Sequence, residues 1–505
     1  MEKYLSLFKA MYNQTLSAGN CMSGFCRYMN EFMVPYILAT SYFTEAEREK
    51  MTKTDPMEGL MSYAELMQFN SDVSSRAIIS SMKAMSDFSN MELKKAMDAL
   101  FGTVFDWDGN GGDILAFTER QAIMSEMLVK GYPQAIRDIE SEYGFGFERG
   151  ENVKVAETDR FILYQILPID PHTEIRRDGK PILILPPYVL GANILGFLPR
   201  ENRSYAHCFA NVGIPTYIRI MKDIAVTPAV QLATGEDDAR DTRIFCERIM
   251  AAHGKPVTLN GYCQGGYMAV CSLLSGELDG VVDTLITCVS PMDGTRSRGF
   301  EAFFGNLPKR FNDLMYGTKK LPNGNKVGDG TLMGWVYKLK SIEAEFPVVA
   351  FLRDLMMFNP RAGRPPKISK TAAAINYWLQ NERCDLPLAV TRMSFDSYNI
   401  PVTADGTLPV KLFGRPLNFG RIQEKDIPWL ICYGEKDDLV EKETALAPLD
   451  YIPAEVTAFP KGHVAIATSW SNPTSECALH ARFGTQNYRG PVRFHLDQDK
   501  IVATP

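Results

Sequence analysis

Val257-Thr258-Leu259-Asn260-Gly261-Tyr262-Cys263-Gln264-Gly265-Gly266-Tyr267 is the stretch that decides how this chain folds. Val257 to Leu259 reads as a strand, and the run from Tyr267 through Leu274 has helical spacing, so the residues between them form a tight strand-to-helix turn. A nucleophile raised on such a turn has a strained backbone that crowds the adjoining strand and helix, which calls for glycine two residues to either side. Gly261 and Gly265 stand at those places around Cys263. Cys263 then projects from a helix N-terminus, where the dipole and free N–H groups favour a thiolate and a developing oxyanion.

Outward from this turn, short apolar runs recur. Val153 to Ile169 reads as a strand pair, and Pro181 to Pro187, Pro215 to Met221, Val282 to Val289 and Ile427 to Tyr433 read as further strands, most of them separated by helical patterns. Continuous apolar runs are the mark of strands buried on both faces, and their alternation with helices predicts an α/β fold with a mostly parallel sheet. Residues 1–150 read as a Met-rich helical region, with an amphipathic stripe over Ser74 to Leu100. Such a stripe packs in a core or a subunit interface, or lies on a hydrophobic surface. Between 293 and 425 the strand–helix alternation is suspended, which predicts an inserted lid or cap over the sheet edge where ligands bind. The expected organisation is therefore a helical region 1–150, a catalytic core 151–292 and 426–482, a lid 293–425 and a tail 483–505.

Composition closes off other classes. The 505 residues carry 54 Lys+Arg and 60 Asp+Glu, a formal charge of −6, with 45% hydrophobic and 23% charged residues. That is an ordinary globular balance, and the mild acidity argues against a nucleic-acid partner. The apolar stretch Phe32 to Phe43 is interrupted by Pro35 and falls short of the ~20 residues a spanning helix needs, so no transmembrane segment is expected. No secretory signal is visible at the N-terminus, which gives a cytoplasmic expectation. Ten Cys include Cys21 and Cys26 without a second pair, so neither a zinc site nor any other metal is expected. Asp106-Trp107-Asp108-Gly109-Asn110-Gly111 opens like a calcium loop, but its twelfth position is Phe117, and it reads as a turn.

A nucleophile on this turn needs a base and an acid. In an α/β-hydrolase arrangement they follow in the order nucleophile, acid, His. His463 follows the strand-like Glu455 to Phe459 and is flanked by Gly462, which suits a loop at the sheet edge; His480 and His495 read as surface or packing residues. For the acid, Ile427 to Gly434 ends in Glu435-Lys436-Asp437-Asp438. Asp437 and Asp438 are equivalent on physical grounds, with Asp293 as a substitute.

With these motifs in place, the chain resembles the polyhydroxyalkanoate synthase family, acyl-CoA polymerases of the α/β-hydrolase fold. The resemblance is carried by Gly261-Tyr262-Cys263-Gln264-Gly265-Gly266, Leu185-Pro186-Pro187 with Leu198-Pro199-Arg200-Glu201-Asn202, Phe413-Gly414 to Phe419-Gly420-Arg421-Ile422, Lys436-Asp437-Asp438-Leu439-Val440, and Gly462-His463. These span roughly residues 150 to 480. The resemblance implies Cys263 as the acyl-accepting nucleophile, His463 as general base, Asp437 as its partner, and oxyanion donors at the backbone N–H groups of Gln264 and Val189. It implies 3-hydroxyacyl-CoA as substrate, no cofactor, a homo-oligomer such as a dimer, and contact of the N-terminal helices with a hydrophobic polymer granule. Two places depart from the family pattern. Asp438 and Glu441 replace its His and Pro after the acid, and Ile220 to Ile224 replaces its Ser-Trp-Arg-Asn-Pro. Two other readings share the elbow: a Cys hydrolase of the thioesterase or dienelactone-hydrolase type, and a non-catalytic granule-associated protein of the synthase type.

Overall fold

The computed structural model describes residues 2–53, 55–105, 113–299, 317–360 and 366–464. The turn expected at Asp106 to Gly111, the residues His480 and His495, and the tail 483–505 lie outside them. Two compact units emerge, Met1–Ile139 with Thr331–Tyr377, and Glu140–Gly330 with Trp378–Pro505.

The second unit is built on an eight-stranded sheet. Its strands in chain order are β1 (Val153–Glu157), β2 (Phe161–Ile166), β3 (Ile182–Leu185), β4 (Thr216–Met221), β5 (Val257–Tyr262) and β6 (Val282–Cys288). Small antiparallel pieces follow as β7 (Thr318–Lys320), β8 (Lys326–Gly328), β9 (Leu386–Pro387), β10 (Thr407–Leu412) and β11 (Arg415–Asn418), before β12 (Trp429–Gly434) and β13 (Glu455–Phe459) return to the main sheet. The order across the sheet is β1-β2-β4-β3-β5-β6-β12-β13. β1–β2 and β2–β4 are antiparallel, and every other pair is parallel.

Every residue of β3, β5 and β12 is buried, as expected of strands covered on both faces. β1, at the edge, is largely exposed. This order, with the strand-to-helix turn at Cys263 directly after the fifth strand, is the α/β-hydrolase arrangement. The covering helix Gly235–His253 is held at its start by a capping box, in which Thr234 and Asp237 satisfy each other's backbone N–H groups.

The first unit is helical. α1 (Glu2–Met51) and α2 (Pro56–Phe105) are 50 residues each, and α3 is Ile114–Glu126. α1 runs through Pro35, where one intrahelical hydrogen bond is lost but the helix continues. Residues 331–377, which the sequence places in the 293–425 insertion, belong to this unit. The reason is apolar packing: Phe351, Leu355 and Phe358 share a core with Met124, Leu128, Tyr132 and Ile136. Phe25 and Tyr28 of α1 meet the Phe351 ring edge-on at 6.0 and 5.8 Å between centroids. None of the helices among the described residues is long and apolar enough to cross a membrane.

Candidate active site

Cys263 sits where β5 ends and the helix Gln264–Leu274 begins, with φ 53° and ψ −125°. L side chains rarely adopt this backbone, and holding one there costs of order 1–3 kcal/mol, which only close packing around the turn can sustain. That packing is visible at the two glycines. A Cβ on Gly261 would lie 2.3 Å from the Gly266 Cα, and one on Gly265 would lie 2.2 Å from the Leu185 carbonyl oxygen at the end of β3. The backbone N–H of Cys263 donates to the Cys288 carbonyl at 2.8 Å, which ties the turn to the end of β6.

His463 follows β13 and is buried together with Asp437, which follows β12. Because β12 and β13 pair in parallel register, from Leu430 opposite Glu455 to Gly434 opposite Phe459, the loops after them emerge side by side. The imidazole Nδ1 and the Asp437 Oδ2 are 2.8 Å apart. The other carboxylate oxygen, Oδ1, accepts the backbone N–H groups of Leu439 and Val440, each at 2.9 Å. The carboxylate is thus held on both oxygens, and with the ionised carboxylate as acceptor Nδ1 carries the proton.

The choice between the two carboxylates is made by burial. Asp437 is 7% exposed and faces the ring, whereas Asp438 is exposed. Asp293 is buried but occupied elsewhere, capping Thr295 and paired with Arg296 at 3.1 Å.

The opposite ring nitrogen, Nε2, is buried without a hydrogen-bond partner among the described residues. Burial pushes the imidazole toward its neutral form. The Cys263 sulfur and then the Asp437 carboxylate act against this and prevail, raising the His463 pKa from its ordinary value to about 10. The influence of the sulfur on the ring places Cys263 at the site that His463 and Asp437 form. Cys263, His463 and Asp437, expected from sequence as a set, are therefore brought together here.

Of the two residues suggested as oxyanion donors, Gln264 is the first residue of the helix, and Val189 lies in the loop after β3, whose Leu185 and Pro186 carbonyls press on Gly265.

Three contacts around the site carry no signal in the sequence. The Tyr262 hydroxyl donates to the His463 carbonyl at 2.5 Å and fixes the loop that carries His463. The Gln264 side chain donates to Ser394 Oγ at 2.6 Å, joining the elbow to the helix Leu388–Asn399. Glu441, where the resembled family has Pro, accepts the backbone N–H groups of Gly299 at 2.8 Å and Arg298 at 3.2 Å. Each links residues more than a hundred positions apart, beyond the reach of local pattern.

No family profile matches this sequence, and no curated protein matches it. Similar solved structures include a carboxylesterase from the ammonia-oxidizing thaumarchaeon Nitrososphaera gargenis, 12% identical over 63% of this chain and 92% of that one, with a TM-score of 0.35. They also include a putative lipase from Acinetobacter baumannii AYE, 13% identical over 67% of this chain and 91% of that one, TM-score 0.33. Proline iminopeptidase from Mycobacterium smegmatis is 14% identical over 66% of this chain and 98% of that one, TM-score 0.34. The assignment of the fold rests on the strand order and the Cys263 turn, both properties of this chain alone.

Proposed function

We propose that this protein is an acyltransferase of the polyhydroxyalkanoate synthase type, which polymerises 3-hydroxyacyl-CoA thioesters through Cys263, His463 and Asp437. The observation that carries the reading is the buried imidazole, oriented by Asp437 at 2.8 Å, together with a cysteine held on a strained strand-to-helix turn whose sulfur acts on that ring. In the first step the Cys263 thiolate attacks the thioester carbonyl. The C–S bond to CoA breaks, the imidazolium returns its proton to the CoA sulfur, and the acyl group remains on Cys263. One thioester replaces another, so the acyl group keeps the reactivity needed for the next transfer.

In the second step His463 takes the proton of a 3-hydroxyl group as its oxygen attacks the acyl-Cys263 carbonyl. An ester forms and the Cys263 sulfur leaves. The backbone N–H groups of Gln264 and Val189 are assigned to the oxyanion in both steps. Water in place of the hydroxyl would give a free hydroxy acid, so part of the 293–425 segment is assigned to its exclusion. The exposed apolar residues of α1 and α2, Phe8, Met11, Ile78 and Ile79 among them, are assigned to subunit association and to the polymer surface.

The test is purified protein and its Cys263→Ala form given 3-hydroxybutyryl-CoA, with CoA release, polymer and free acid measured. Polymer from the parent alone supports the proposal. Free acid without polymer replaces it with a Cys hydrolase, and CoA release unchanged by the substitution removes Cys263 from the chemistry.

A further inference from the structure

A cavity of about 200 Å³ that Cys263 does not line is walled by Pro186, Pro187 and Gly191 of the loop after β3, together with Phe147, Phe161 and Met221. An apolar cavity of roughly 150 Å³ holds a benzene-sized molecule, so this one has room for a ring and a short substituent.

The polar groups at its wall are unequal. Arg219 is fully committed: its guanidinium pairs with Asp238 at 2.7 Å, donates to Thr242 Oγ1 at 2.6 Å, and lies over the Phe161 ring at 4.2 Å. The Asn193 amide donates to Glu382 Oε1 at 2.8 Å and its oxygen accepts the Phe145 N–H at 3.2 Å. Glu382 is different. Among the described residues its side chain accepts that single hydrogen bond from a neutral amide and has no cationic partner. Burial accordingly pushes its carboxyl above the ordinary value. Its second oxygen lies 3.2 Å from where a Cβ on Gly191 would stand, so it is held against the same loop that borders the cavity.

We propose that this cavity binds a small cationic amphiphile, a primary ammonium on a compact apolar or aromatic body, with the ammonium on Glu382 Oε2 and the body against Phe147, Phe161 and the two prolines. Among the described residues this half-buried carboxylate pairs with no cation, and an ammonium supplies both the missing charge and the missing donors. The rings offer the apolar body a stacking surface. Cys263 is not among the residues lining this cavity, and the binding test below does not depend on acyl transfer.

The probes are benzylamine, benzyl alcohol and benzoate, titrated into full-length protein labelled at its methionine methyl groups, with the Met221 resonance followed by NMR and assigned through Met221→Leu. Benzylamine is expected to shift Met221 saturably, in the parent and in the catalytically disabled Cys263→Ala protein alike. Benzyl alcohol is expected to bind about ten- to a hundredfold more weakly and benzoate not at all. Glu382→Gln, which keeps an acceptor for Asn193 and so the fold, is expected to weaken benzylamine by the same factor and leave benzyl alcohol unchanged. Cys384→Phe, which fills the cavity, is expected to abolish the shift. Equal affinity for amine and alcohol in the parent overturns the proposal, as does benzylamine binding indifferent to Glu382→Gln, or no saturable shift at all. The comparison among the three probes needs no variant, so a misfolded variant cannot rescue or sink it.

Discussion

The same substitution, Gly to Ala, has opposite expected effects at two places in this chain, and the contrast tests whether the Cys263 turn is built as described. At Gly265 an added Cβ would stand 2.2 Å from the Leu185 carbonyl oxygen and 2.6 Å from that of Pro186. Both are backbone atoms of the β3 end, and β3 is paired on its two sides with β4 and β5, so neither can swing aside as a side chain would. Restoring ordinary contact requires a withdrawal on the order of 1 Å. That movement breaks the pairing of Leu185 with Gly261 directly beneath Cys263. Overpacking of this kind costs about 3 kcal/mol or more. The thermal transition of the sheet unit should fall by roughly 5 to 10 °C, and activity should be lost with it.

Gly19 lies exposed within α1, and nothing stands within 4 Å of its added Cβ. There the helix gains about 1 kcal/mol from alanine. The assay is differential scanning calorimetry and guanidinium unfolding of Gly265→Ala, Gly19→Ala and the parent. Gly265→Ala with a midpoint and activity indistinguishable from the parent would falsify the packing argument for the elbow, and Gly19→Ala less stable than the parent would refute the open environment assigned to α1 at that point.

Further outcomes follow from the triad. Asp437→Asn preserves the acceptor for Leu439 and Val440 but presents an amide N–H₂ to His463 Nδ1; turnover should drop by about 10²–10⁴-fold, with a thermal midpoint near that of the parent. His463 is protonated in the folded protein up to about pH 10 and in the unfolded chain only to about 6.5. The stability it contributes is therefore complete below about 6.5 and is lost as the pH rises toward 10. In Cys263→Ala the foremost influence favouring the imidazolium is gone, so the ¹⁵N-histidine titration of His463 should move downward, and an unmoved midpoint would uncouple the two residues. Tyr262→Phe removes the donor to the His463 carbonyl and should cost about 1–3 kcal/mol in stability together with a fall in kcat at unchanged KM; a change in KM alone would show that the hydroxyl does not position the base.

Much of this architecture can be read along the chain because parallel strands advertise themselves. Ile182 to Leu185 and Trp429 to Gly434 are apolar without alternation, since both of their faces are covered, and the glycines around Cys263 are forced by the backbone they abut. The choice of Asp437 over Asp438 was not readable from the residues alone. Adjacent carboxylates have the same local chemistry, and the fold separates them by burying Asp437 against the imidazole while Asp438 stays exposed. The grouping of 331–377 with the N-terminal helices was hidden for a related reason: Phe351 and Leu355 are apolar wherever they pack, and their partners Met124 and Leu128 lie more than two hundred residues away. Glu382 carries no signal in the sequence because its meaning depends on what is absent around it, and a sequence lists only what is present.

The most direct test of the account is mass spectrometry of the protein quenched in acid within the first turnovers on 3-hydroxybutyryl-CoA. The account predicts a 3-hydroxyacyl group in thioester linkage on the peptide containing Cys263, released by neutral hydroxylamine and absent from Cys263→Ala. An acyl group found on another residue, or turnover with Cys263 never modified, would contradict it.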